Sequence, residues 1–63
     1  MLVNGREIDA AGMTLLEFLR TNGYQEMRVA VEKNGEIVPR SRYAEELLCD
    51  EDRIEIVSFV GGG

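Results

Sequence analysis

The stretch "MTLLEFLRTNG", Met13 to Gly23, decides how this chain of 63 residues folds. Thr14 and Glu17 are spaced as a capping box, in which the threonine hydroxyl accepts from the Glu17 amide and the glutamate reaches back to the Thr14 amide. Met13 before the cap and Phe18 after it are placed for a hydrophobic staple. Leu15, Phe18 and Leu19 then recur at i, i+3 and i+4, one apolar stripe with Glu17 and Arg20 turned outward. Asn22-Gly23 ends the run, glycine taking the left-handed position that closes many helices. The spacing predicts one helix of about two turns with a single face to bury.

Around that helix the sequence reads as strands. Towards the N-terminus, Leu2-Val3 and Glu7-Ile8 flank Asn4-Gly5, a dipeptide suited to a two-residue β turn, and Asp9 to Gly12 is a short loop. On the other side, Met27 to Glu32 alternates at period two, with Met27, Val29 and Val31 on one face. Asn34-Gly35 marks a second hairpin, Ile37-Val38 returns, and Pro39 stops that strand because it has no N–H for a ladder. Ser41 to Leu48 reads as a helical turn or two burying Leu47 or Leu48. Arg53 to Val60 is β-branched and aromatic and reads as a final strand. These parts give an α+β domain in which the one helix crosses one face of a mixed sheet. There is no repeat, linker or second domain; residues 1–59 form the domain and 60–63 a tail.

The last strand poses a problem of phase. Ile54 and Ile56 share a face, so unbroken alternation sends Ser58 to the core and leaves Glu55, Val57 and Phe59 outside. Either a bulge resets the phase, or an apolar side chain at Phe59 or Val60 stays exposed for another protein to cover. The expectation is exposure.

Composition narrows the function. A chain this short buries roughly 60% of its unfolded surface and has no room for a deep pocket beside its core, so a protein that works through partners is favoured over a self-contained enzyme. Histidine is absent and Cys49 is the only cysteine, which removes Ser/His/Asp and Cys/His catalysis, an internal disulfide and a structural metal site. Cys49, beside Leu47 and Leu48, reads as a small, partly buried apolar residue. Nothing resembles a signal peptide or a stretch of about 20 apolar residues, so a cytoplasmic protein is expected. Residues 45–55 carry six acids against one base, which accounts for the whole net charge of −5. Nucleic-acid binding would need the opposite sign, whereas an acidic segment can steer the domain onto a basic partner.

Gly61, Gly62 and Gly63 follow Val60. Three glycines pack no side chain and order at high entropic cost, yet they suit a thin thread reaching about 13 Å when extended. The α-carboxylate of Gly63, ionised at neutral pH, is an oxygen nucleophile able to attack the α-phosphate of ATP inside an enzyme that neutralises the charges. Val60, Gly61 and Gly62 would thread into that enzyme's site. Phe59, Val57, Glu55 and Arg40 are candidates for docking.

"VNG" at 3–5, "TLLEFL" at 14–19, "VAVEKNGEIVPRS" at 29–41 and "RIEIVSFVGGG" at 53–63 occur in order with little room for insertion. With these segments the whole chain resembles the ThiS family, sulfur carriers of thiamine (thiazole) biosynthesis. The resemblance implies a ubiquitin-like β-grasp with a sheet of about five strands and a flexible Gly-Gly tail. It also implies a carrier that binds no cofactor. An adenylyltransferase related to ubiquitin-activating enzymes would use ATP and magnesium to adenylate Gly63, a cysteine-derived persulfide would convert it to a thiocarboxylate, and thiazole synthase would take the sulfur. Carriers serving molybdopterin or cysteine synthesis, and ubiquitin-like protein modifiers, share the same terminal chemistry. Glu51-Asp52 stands where family members commonly have Gly-Asp; a turn that needed a positive φ there would be mildly strained by Glu51, which leaves the local turn geometry open but not the terminal chemistry.

Overall fold

The computed structural model describes residues 1–59, and the expectations for Val60, Gly61, Gly62 and Gly63 lie outside them. The elements are β1 (Leu2–Val3), β2 (Arg6–Glu7), α1 (Leu15–Thr21), β3 (Val29–Lys33), β4 (Glu36–Ile37) and β5 (Arg53–Ser58), with short 3-10 turns at Glu26–Arg28 and Arg40–Arg42. The five strands form one mixed sheet in the order β2-β1-β5-β3-β4. β1 and β5 run parallel, and the other pairs are antiparallel. This is the β-grasp arrangement, with the last strand at the centre.

The helix forms as its sequence dictates. The Glu17 amide donates to Thr14 Oγ1 at 3.1 Å and the Thr14 amide to Glu17 Oε1 at 2.9 Å. At the other end Gly23 sits at φ +80°. Its amide bonds to the Arg20 carbonyl, and that of Tyr24 to the Leu19 carbonyl, the paired closure of a Schellman motif. Leu15, Phe18 and Leu19 are buried against Val3, Val29, Val31, Ile54 and Ile56 of the sheet, with Tyr43 and Leu48 filling one end.

Both hairpins turn on Asn-Gly with φ positive at both residues: Asn4 at 52°, Gly5 at 82°, Asn34 at 54° and Gly35 at 86°. That twist suits a two-residue hairpin. The asparagines do more than turn the chain. Asn4 Oδ1 accepts from the Ile56 amide at 2.7 Å and Asn4 Nδ2 donates to the Ile56 carbonyl at 3.2 Å. From the other side, Asn34 Oδ1 accepts from the Arg53 amide at 2.9 Å. The two turns therefore clamp β5 between them.

Asn34 also enters a polar cluster that fastens the 43–52 loop. Its Nδ2 donates to Asp52 Oδ1 at 3.0 Å, and the Cys49 amide donates to Asp52 Oδ2 at 2.8 Å. Lys33 Nζ donates to Glu46 Oε2 and to the Leu47 carbonyl, both at 2.9 Å, and lies 3.4 Å from Asp52 Oδ2. Burial works to raise the Asp52 carboxyl, but these hydrogen bonds and the Lys33 charge outweigh it and hold the group below its ordinary 3.8. The hydrogen bond to Glu46 raises Lys33 above 10.5 against burial, with the charges of Asp52 and Glu46 adding to it.

Several expectations are corrected. Met27 is not on the core face of a strand; it lies in the 3-10 turn before β3 and is 70% exposed. The Ser41–Leu48 segment has less helix than expected: one turn, of 3-10 type, at Arg40–Arg42, with ordinary turns after it. Of the two leucines in that segment, one of which was expected to be buried, Leu48 is buried as expected and Leu47 is exposed. Cys49 is exposed rather than partly buried. The turn geometry left open at Glu51 is settled without a positive φ there. Asp52, held from three sides, shapes that turn without a left-handed residue.

Two stability tests follow from these bonds. Asn4→Gly keeps a residue that accepts positive φ but deletes both side-chain bonds to Ile56, so it should cost about 1–2 kcal/mol, read as a lower urea midpoint; an unchanged midpoint would refute the clamp. Asp52 contributes stability above pH 3.8 that is lost as pH falls through its lower folded value. Lys33 contributes below pH 10.5 and is lost as pH rises through its higher folded value. Asp52→Asn should flatten the acid limb of a stability-against-pH curve and Lys33→Met the alkaline limb.

Candidate functional site

The sheet has one face under α1, and among the described residues nothing covers the other. Alternation along β3 and β5 sends Val29, Val31, Ile54 and Ile56 inward, and Ala30, Glu32, Glu55 and Val57 outward. The register between the two strands is unbroken from Val29 opposite Ser58 to Lys33 opposite Ile54. No bulge resets the phase. Ser58 nevertheless escapes the core: it is exposed and lines a surface concavity with Tyr24, Gln25 and Arg28.

Val57 is 60% exposed and Phe59 54%, as the alternation predicts for the outer face. Phe59 is not loose, for its amide donates to the Arg28 carbonyl at 2.8 Å and extends the β3 pairing beyond the strand. Ile37, directly beside Glu32 across the β3–β4 hairpin, is 66% exposed on the same face. Phe59, Ile37, Pro39 and Ala30 line one shallow groove, and Arg40 borders it. The structure thus brings Phe59 and Arg40 together. Arg40 is held by backbone: Nε donates to the Glu26 carbonyl at 2.9 Å and Nη2 to that of Val29 at 3.5 Å. It ties the turn before β3 to the turn after β4. Burial pushes the nearby Tyr43 phenol above its ordinary 10.0, against the opposing charge of Arg40 and a hydrogen bond with the Val31 backbone.

Glu55 stands directly opposite Glu32. Ala30, Glu32 and Ile37, which the sequence reading did not single out, also belong to this face: the period-two pattern that buries Val29 and Val31 puts Ala30 and Glu32 outside, and Ile37 follows as the cross-strand partner of Glu32. Among the described residues, no group of three His, Cys, Asp or Glu side chains is placed to share a metal ion. No helix among them is long and apolar enough to cross a membrane. What the arrangement offers is a firm, half-apolar platform on the strand that leads to the glycines.

Comparison with known proteins agrees with this geometry. The ThiS family model matches residues 1–63. A sulfur carrier protein ThiS from Bacillus subtilis is 48% identical over 50 residues, covering 79% of this chain and 76% of that protein. A thiazole synthase from Paramagnetospirillum magneticum is 45% identical over 64 residues, covering all of this chain and 20% of that protein, so the chain spans one fifth of that relative's length. The crystal structure of the thiamine biosynthesis protein ThiS from Geobacter metallireducens superposes with a TM-score of 0.78 at 33% identity, covering 98% of this chain and 96% of that one. By sequence along its whole length, and by the course of its backbone, the chain belongs to the ThiS family.

Proposed function

We propose that the chain is a sulfur carrier for thiazole formation in thiamine biosynthesis, with Gly63 as the group that carries the sulfur. The supporting observation is the family match through residue 63, which takes in the three glycines that follow β5. In this reading a carboxylate oxygen of Gly63 attacks the α-phosphorus of ATP in a partner adenylyltransferase that uses magnesium, and pyrophosphate leaves. The outer sulfur of a cysteine-derived persulfide then attacks the acyl carbon and AMP leaves. A thiol reduces the remaining sulfur–sulfur bond, which yields the thiocarboxylate and a disulfide. The thiocarboxylate sulfur is the nucleophile delivered to thiazole synthase.

The domain contributes no reacting side chain to this sequence. Its part is to hold Phe59 and Val57 in a fixed place so that the glycines enter a partner's cleft from a defined point. The apolar groove beside Phe59 supplies contact area without catalytic groups. The relative named as a thiazole synthase, in which a similar segment belongs to a longer chain, supports that enzyme as the sulfur acceptor.

Incubation with ATP, magnesium, the adenylyltransferase and a persulfide donor should replace one oxygen of the protein by sulfur, seen by intact mass and mapped to Gly63. A mass that does not change would refute the reading. Removing Gly62 and Gly63 should abolish the exchange while leaving the urea midpoint as it was; exchange that survives the deletion would place the chemistry elsewhere.

A further inference from the structure

β3 and β5 form the longest strand pairing in the sheet, and one step from its Lys33–Ile54 end Glu32 faces Glu55 on the outer side. Side chains in such a position have Cβ atoms about 5 Å apart, and like charges there are destabilising. Both glutamates are exposed. Among the described residues neither takes part in an ion pair. Glu51 joins them along a shallow groove of about 610 Å³, where Arg53 is the one cation among the described residues. On the other side of the pair come Val57 and Ala30, followed by Phe59, and Ile37 flanks Glu32 in its own row; these are the apolar part of the same face. Two like charges thus stand together at the edge of an apolar strip that nothing among the described residues covers.

We propose that Glu32 and Glu55 together receive one basic side chain, arginine or lysine, from the surface of thiazole synthase, while Val57, Ile37 and Phe59 meet the apolar surface around it. This rests on the proposed function above. The enzyme is the chosen occupant because a relative bearing its name contains a similar segment within a longer chain, and the basic side chain because two carboxylates held side by side call for a single shared cation. A second copy of this chain is the poorer occupant: it would bring the same two glutamates, and each copy carries a net charge of −5.

The consequence is a pair of effects of opposite sign. Replacing either glutamate by glutamine removes a repulsion from the free protein and a counter-charge from the complex. Glu32→Gln and Glu55→Gln should each raise the melting temperature by about 1–5 °C. Each should slow association with purified thiazole synthase by about 3- to 10-fold and weaken its dependence on salt. Glu36→Gln, which removes the same charge from β4 at a position opposite Lys33, should do neither. A residue that only supports the fold would lose stability and binding together.

The test is thermal melting of the four proteins combined with stopped-flow association at low and high salt. Higher melting temperatures with slower association in both variants, and no change in Glu36→Gln, support the proposal. Association as fast as the parent's would overturn it, as would slower association accompanied by lower melting temperatures. If the parent binds the synthase and passes sulfur to it while the variants bind equally well, this inference alone falls. A parent that gives no sulfur exchange at Gly63 and no complex removes the function and the inference together. Self-association of the parent that is strengthened in the variants would assign the face to a second copy and overturn the proposal.

Discussion

The side-chain amides of Asn4 and Asn34 reach from two tight turns to the backbone of β5, one from each side, and the rest of the structure depends on that reach. β5 is the last strand in the chain and the middle strand in the sheet, so it has no turn of its own to set its register. β1 contributes only two paired residues beside it. The Asn4 side chain supplies two further bonds at Ile56, acting as an added rung of the ladder. With β5 fixed, Ile54 and Ile56 are presented to α1, and Glu55, Val57 and Phe59 to the outside. The asparagines are thus chosen twice over, once for a positive φ and once for an amide that pairs with a strand.

The polar cluster of Lys33, Glu46, Asp52 and Asn34 extends the same anchoring to the loop that precedes β5. A small core cannot hold such a loop by apolar contact alone. One ammonium group placed among two carboxylates and a carbonyl fastens it from the inside, with no buried side-chain polar atom left without a partner among the described residues. The arrangement also separates the acids by task. Glu46 and Asp52 are used up in the fold, while Glu32 and Glu55 remain on the open face.

Much of this was legible in the sequence because it is local. The capping box at Thr14 and Glu17, the glycine stop at Gly23 and the two Asn-Gly turns depend on residues within five positions of one another, and each formed as expected. The side-chain bonds from Asn4 to Ile56, a separation of 52 residues, were not, because a turn dipeptide gives no sign of what its amide will reach. Met27 was misplaced for a related reason: its alternation with Val29 and Val31 is genuine, but β3 begins only at Val29, after the 3-10 turn. The phase of β5 shows the opposite case. The alternation of Ile54 and Ile56 sends Val57 and Phe59 outside, and because the register with β3 is unbroken they are exposed as it predicts.

On this account, the domain is a rigid mount for the end to which the proposed function assigns the chemistry, and its rigidity comes from fastening β5 on both sides. Native-state hydrogen exchange of the Ile56 and Arg53 amides measures that directly, because these two donate to the asparagine side chains. The account predicts that both open only with the whole domain, at the free energy of global unfolding. Exchange of either amide through a local opening, well below that free energy, would contradict it.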